Sequence, residues 1–165
     1  MKCHLIHQHS IDTVLDKARQ YRSLLEPELA ISICLDVFAL DENHQNALVI
    51  YILALTDLYA HPNSKVQLQK LNGAIAKLKS EFQAKYYSGI ALERKARALM
   101  KNSMSRSFAY NLLIEAIELY DQAQPLAPKN CDDAILRHNA CVRTIQNEHL
   151  SPRQDMDDAS WEGDL

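Results

Sequence analysis

From Ser10 to Gln146 apolar residues return every three or four positions, and no stretch alternates with period two long enough to predict a strand. Ser10 stands as the N-cap of a helix over 11–25, with Val14, Ala18, Tyr21 and Leu25 on one side. Pro27 opens a second helix over 27–40, with Ala30, Cys34, Val37 and Leu40 inward. Asp41-Glu42-Asn43 predicts the cap of a third, over 44–59, that is apolar almost all round (Ala47, Leu48, Ile50, Tyr51, Leu55). Such a helix is covered on more than one side. His61-Pro62-Asn63-Ser64 predicts a loop. Leu68, Leu71, Ile75, Leu78 and Phe82 then recur at three and four and place a fourth helix over 65–80. A fifth, over 82–101, carries Tyr87, Ile90, Ala91, Arg94 and Ala98 on one side and breaks at Lys101-Asn102-Ser103-Met104-Ser105. The sixth, over 106–124, repeats Phe108, Leu112, Ala116, Tyr120 and Ala123. Asn130 caps a seventh over 131–147, with Asp132 and Asp133 in the first turn, where carboxylates suit the helix dipole.

With 165 residues, one domain with a core of useful size is expected, and only three glycines imply long uninterrupted elements. The formal charge of -3 conceals an asymmetry. Residues 151–165 hold Asp155, Asp157, Asp158, Glu162 and Asp164 against Arg153 alone, so residues 1–150 carry a slight positive excess. That balance gives no general reason to expect nucleic acid, and no apolar run approaches the length of a membrane span. Cys3, Cys34, Cys131 and Cys141 show no C-x-x-C spacing, which fits a reduced, cytoplasmic protein. His4, His7 and His9 interrupt the N-terminus, so a signal peptide is not expected.

The sharpest pattern runs from Ala116 to Pro128, with small residues at Ala116 and Ala123, a ring at Tyr120, Leu126, and a stop at Pro128. Small positions let a neighbouring helix come close while the ring fills the groove between. These residues resemble the second helix of a tetratricopeptide repeat. The helices then pair as one-two, three-four and five-six, with the seventh as a cap. In the first pair Ala18, Tyr21 and Ala30 match the family's small, aromatic and close-contact sites, and Glu42 stands where its proline is usual. In the second, Leu48 replaces the usual Trp and Ile52 the usual Gly, which implies looser packing. In the third, Ala91 and Ala116 lie further apart than the family's unit of 34 residues allows, so those helices are lengthened.

The resemblance implies a right-handed superhelix of stacked α-hairpins, about seven helices in all, over residues 11–150. An N-terminal segment 1–10 and an acidic C-terminal segment 151–165 flank it. It further implies a concave face, lined by the first helix of each pair, that captures a peptide or helix of a partner protein. Carried over by position, the face presents Asp12, Leu15, Arg19 and Arg22, then Asn46, Val49, Leu53 and Thr56, then Lys85, Ser88, Leu92 and Lys95. Asp132, Ile135 and Asn139 follow from the cap. Arg19, Lys85 and Lys95 would set register, and Leu53 and Leu92 would supply burial. Leu15 and Arg19 fall where the chaperone-binding members place a cation and an amide, so that clamp is not expected.

Arg94, Lys95, Arg97, Lys101 and Arg106 form the densest charge, and Arg94, Arg97 and Lys101 share one helical face. A solvated face is the ordinary reading, an anionic partner the sharper one. Glu93, Arg94, Asp133 and Arg137, with His138, suggest a polar network that fixes helix register; as the alternative, they form the site of a helical enzyme or accessory subunit. A self-associating subunit is the third reading. Cys3, His4, His7 and His9 have the chemistry for Zn²⁺, but as a terminal stretch they read as a frayed end, and no metal or cofactor is expected. No catalytic motif appears, so no enzyme activity is expected. The acidic segment holds the only Trp, Trp161, and ends in Leu165. It reads as a solubilising tail or as a docking motif for the basic face, of the same copy or another.

Overall fold

A computed structural model describes residues 1–61, 65–102 and 105–152. Among them the fold is all-α: α1 Ile11–Ser23, α2 Pro27–Phe38, α3 Gln45–Asp57, α4 Leu68–Ala76, α5 Glu81–Met100, α6 Ala109–Ala123 and α7 Asp133–Asn147. Trp161 and Leu165 lie outside the described residues.

The helix ends follow local chemistry that the periodicity does not carry. The α3 cap is His44, whose Nδ1 accepts from the Ala47 amide at 3.3 Å, rather than Asp41-Glu42-Asn43. Ser80 caps α5 by accepting from the Gln83 amide at 3.3 Å, and Ser80-Glu81-Phe82-Gln83 is the capping-box spacing. Ser10 stands at the N-cap of α1, but its side chain makes no capping hydrogen bond, because a 3-10 turn over Gln8–Ser10 leads in. Asn130 does not cap α7. It takes a left-handed backbone (φ 62°) two residues earlier, and Asp132 stands at the cap. The fourth helix is nine residues instead of the sixteen expected, since Leu78 already belongs to the connection.

Consecutive helices pack on one another throughout, and α1 also touches α3, as α3 touches α5. The odd-numbered helices α1, α3 and α5 therefore form one layer, with α2, α4 and α6 behind them. The apolar α3 is central to this arrangement, and Leu48, Ile52, Ala54 and Leu55 are all buried. One core cluster joins α1 to α4 through aliphatics such as Leu15, Val37, Ile52 and Leu71.

A second cluster joins α5 to α7 and sets small residues, mostly alanines, around Phe82, Ile90, Leu113 and Tyr120. Ala109, Ala116 and Ala123 recur every seven positions on α6 and are fully buried. Phe82, Gly89 and Ala96 repeat the spacing on α5. Gly89 is required there: a Cβ would lie 2.6 Å from Tyr120 Cε1. The glycine admits the ring, and the ring fills the space between two closely approaching helices. The α5–α6 pair is accordingly the most extensive in the molecule, whereas α4 rests more lightly on α3.

Candidate functional site

Glu93 and Arg94 are neighbours on α5, but the helix turns about 100° between them, so they serve different sides. Glu93 points toward α6 and α7 and is 1% exposed. Its carboxylate accepts from Tyr120 Oη at 2.8 Å, Arg97 Nε at 2.9 Å and Arg137 Nη1 at 3.4 Å. Burial first, then Glu93, pushes the Tyr120 phenol far above its ordinary value. Burial works against the Arg137 guanidinium, but Glu93, Tyr86 and Tyr120 together overcome it and raise its pKa. No buried side-chain nitrogen or oxygen of the described residues lacks a hydrogen-bond partner. This cluster is closed and satisfied.

Arg94 points the other way, to the C-terminal end of α3. Its Nη1 donates to the Leu53 carbonyl at 2.9 Å, to Thr56 Oγ1 at 2.7 Å and to Asp57. Arg22 of α1 donates to the same carboxylate, Nε to Oδ2 at 2.7 Å and Nη2 to Oδ1 at 3.3 Å. The logic lies in α3: Asp57 is the only charge in Gln45–Asp57 and sits at the negative end of its dipole. Two guanidiniums offset that placement, and Arg94 adds a hydrogen bond to the Leu53 carbonyl in the last turn of α3, where cations suit the dipole. Burial pulls the Arg94 pKa below its ordinary value, opposed by Asp57.

Above this triad opens a cleft of about 280 Å³ between the ends of α1, α3 and α5. Leu25, Pro27, Tyr59 and Ala98 supply its apolar wall. Arg22, Arg94, Arg97 and Lys101 bring cations to it, and His61 stands at its edge. Lys101 is exposed and has no ion-pair partner among the described residues. Leu25 is 76% exposed and has a left-handed backbone, φ 61°. It occupies the C′ position of a Schellman turn, with Glu26 N–H bonding Tyr21 C=O and Leu25 N–H bonding Arg22 C=O. Glycine or asparagine is the low-energy residue there. A leucine holds an apolar side chain out at the cleft mouth against both strain and hydration.

The structure thus merges two sets expected apart: Arg22, from the predicted groove, and Arg94, Arg97 and Lys101, from the predicted basic face, line one cleft. Arg94 is not a solvated residue of that face; it is turned inward. Arg106 is elsewhere, donating to the Glu148 carbonyl and Oε2 at 2.9 and 2.8 Å at the end of α7. Leu15 and Thr56 are core residues at 1% exposure, not groove lining. Arg19 pairs locally with Asp16 at 2.7 Å. Lys85 reaches Gln122 at 3.1 Å and Glu81 at 3.8 Å, and Ser88 donates to the Ala84 carbonyl at 2.8 Å. Asn46 is exposed, while Lys95 and Asn139 are half-buried. Leu53 and Leu92 pack against the second core cluster.

The alternative constellation is split in the same way. Glu93 meets Arg137, Arg94 faces Asp57, and His138 Nδ1 lies 2.7 Å from Asp121 Oδ1. Asp133 is exposed, close enough to Tyr86 and Tyr87 to raise their pKa values, with burial the larger cause in both. Among the described residues no group of three His, Cys, Asp or Glu side chains is placed to hold a metal, Cys3, His4, His7 and His9 included. No described helix is long and apolar enough to cross a membrane. Sequence reasoning missed Asp57 and Leu25. Asp57 was signalled by being the lone charge of an apolar helix, and Leu25 by an interhelical turn without glycine.

No family model matches the chain, and neither does any curated protein or solved structure.

Proposed function

We propose that the chain is a divergent tetratricopeptide-type stack working as a non-catalytic adaptor in a reduced, cytoplasmic setting. Its cleft at the ends of α1, α3 and α5 captures an acidic peptide segment of a partner protein through one large apolar anchor. The observation that carries this reading is the convergence of Arg22, Arg94, Arg97 and Lys101 on an apolar-walled cleft whose mouth holds the strained, exposed Leu25. Supporting it, α1 touches α3 and α3 touches α5 while consecutive helices pair, the contact pattern of stacked hairpins. Four free cysteines, with Cys34 and Cys141 fully buried as thiols, support the reduced setting.

The division of labour follows from exposure. Asp57 holds Arg22 and Arg94 still, so the floor of the cleft is preorganised and little ordering accompanies binding. Lys101 and the outer part of Arg97 meet ligand carboxylates, which governs association rate and selectivity more than total affinity. The volume is near the lower end for ligand pockets, room for one large side chain. Covering such a side chain fully is worth about 1.5–3 kcal/mol.

Fluorescence anisotropy with a labelled peptide of alternating Asp and Ala around one Trp tests this. Binding that weakens steeply with salt and is lost in Lys101→Glu supports the reading. Equal binding of a Lys-for-Asp version of the peptide refutes it.

A further inference from the structure

The same end of the molecule that carries the cleft also launches the acidic segment. Ser105 Oγ donates to the Leu99 carbonyl at 3.2 Å, placing the start of the α6 arm against the last turn of α5. The next residue, Arg106, grips the Glu148 carbonyl and carboxylate at the end of α7. Leu150 then packs on the second core cluster. This chain of contacts ties Ser151 and Pro152 to the end of α5 where Ala98 and Lys101 line the cleft. To enter the cleft the chain must cross α5, about 10 Å of helix width. Trp161 follows Pro152 by nine positions, an extended reach of roughly 30 Å. The reach is ample.

Charge and shape agree with reach. Residues 153–165 carry Asp155, Asp157, Asp158, Glu162 and Asp164 against Arg153. Against them stand Arg97 and Lys101, the latter without an ion-pair partner among the described residues, on the rim of a cleft whose inner acid, Asp57, is already held by two arginines. The cleft takes one large apolar side chain, and Trp161 is the only Trp in the chain.

We propose that residues 153–165 of the same molecule occupy the α1/α3/α5 cleft, with Trp161 in the apolar pocket and its neighbouring acids on Lys101 and Arg97, so that the site is self-blocked until a partner segment competes. This rests on the acidic-peptide reading of the cleft, and it adds a regulatory state that the reading alone does not require.

The test uses the full chain throughout. Because Trp161 is the sole Trp, its emission reports this segment alone. In the wild-type chain the emission lies to the blue of that of a synthetic 153–165 peptide, independent of protein concentration, and Lys101→Glu returns it to the peptide's value. A second chain carries Asp157→Asn, Asp158→Asn and Trp161→Ala, which leaves the helical core untouched. It binds the labelled 153–165 peptide at least tenfold more tightly than the wild type does. Peptide binding of equal strength to both chains, with Trp161 emission unshifted, overturns self-blocking and leaves the acidic-peptide site standing. A blue shift that grows with concentration, with a dimer by light scattering, also overturns it in favour of exchange between copies. Peptide binding to neither chain sinks both readings.

Discussion

The two sides of α5 handle buried charge in opposite ways. On the α6–α7 side Glu93 is enclosed by Tyr120, Arg97 and Arg137 and leaves no room for a guest. On the α1–α3 side Asp57 is held by Arg22 and Arg94 under an open cleft, with each of the three side chains about one fifth exposed. Both are one carboxylate between two guanidiniums. Enclosure of its carboxylate makes the first a packing device; the second is open to solvent and is the surface proposed for recognition. The difference lies in the carboxylate, 1% exposed for Glu93 and 23% for Asp57; the arginines on Glu93, at 43% and 37% exposed, can still turn outward when it is lost. Arg97 touches both, donating to Glu93 and lining the cleft, so the closed network also fixes one wall of the open one.

The largest expected effect is therefore at Glu93. Replacing it with Leu leaves the fully buried Tyr120 hydroxyl without its acceptor, while Arg97 and Arg137 can turn to solvent, and should lower unfolding free energy by about 3 kcal/mol. Asp57→Leu, the matching change on the open side, should cost only about 1 kcal/mol after solvent screening. Urea melts of the two variants measure the difference directly. Similar losses would erase the distinction between the sides.

Gly89→Ala comes next. The added methyl meets the Tyr120 ring at 2.6 Å, so α6 must back away from α5, at about 1–3 kcal/mol. The same change at Gly73, where nothing lies within 4 Å of the new Cβ, should instead raise helix stability by roughly 0.5–1 kcal/mol. A small effect at Gly89 would mean that the α5–α6 pair is loose.

How much of this was legible follows from which signals are local. Seven helices could be read because each buries a stripe, and a 3.6-residue period survives without knowledge of neighbours. The α6 stripe, Ala109, Ala116 and Ala123, even announces close approach. The partner of that approach was not legible: the period puts Tyr87, Ile90 and Ala91 on one side of α5, yet Gly89 receives Tyr120. Only the rotation of α5 against α6 decides among three consecutive residues. The cleft was harder still, because it joins Arg22, Asp57 and Arg94, 35 and 37 positions apart along the chain. Periodicity says that Arg94 and Arg97 share a face; it does not say that a carboxylate from α3 waits there. Ser80-Glu81-Phe82-Gln83, by contrast, was readable as a cap and passed over for the stronger Phe82 period.

Buried thiols offer a pH measure of the two cores. Burial pushes Cys34 and Cys141 up to about 12, in the first and second cluster respectively. Their folded pKa values exceed the unfolded ones, so their contribution is whole below the ordinary thiol value, about 9, and falls as pH rises toward 12. Unfolding free energy should drop between pH 8 and 10, by about 1 kcal/mol for each thiol. Cys34→Ala and Cys141→Ala will lower the starting stability through lost packing, but each should flatten the slope. An unchanged slope in either variant would show that water already reaches that core.

The smallest stability effect falls on the open side and has the opposite sign. Leu25 has a backbone that costs an ordinary L-residue about 1–2 kcal/mol, and its side chain is 76% exposed, so it recovers little by packing. Asparagine tolerates the left-handed region and suits the C′ position of this turn. Leu25→Asn should therefore leave the melting temperature unchanged or raise it by a few degrees. If the leucine is retained for a guest, the same variant should bind the Asp/Trp peptide several-fold more weakly, through loss of an apolar contact at the cleft mouth. Stability gained and binding lost together would mark Leu25 as a residue whose strain serves recognition. Binding that survives intact would leave the strained leucine without that role, and the cleft's apolar anchor would then rest on Pro27, Tyr59 and Ala98 alone.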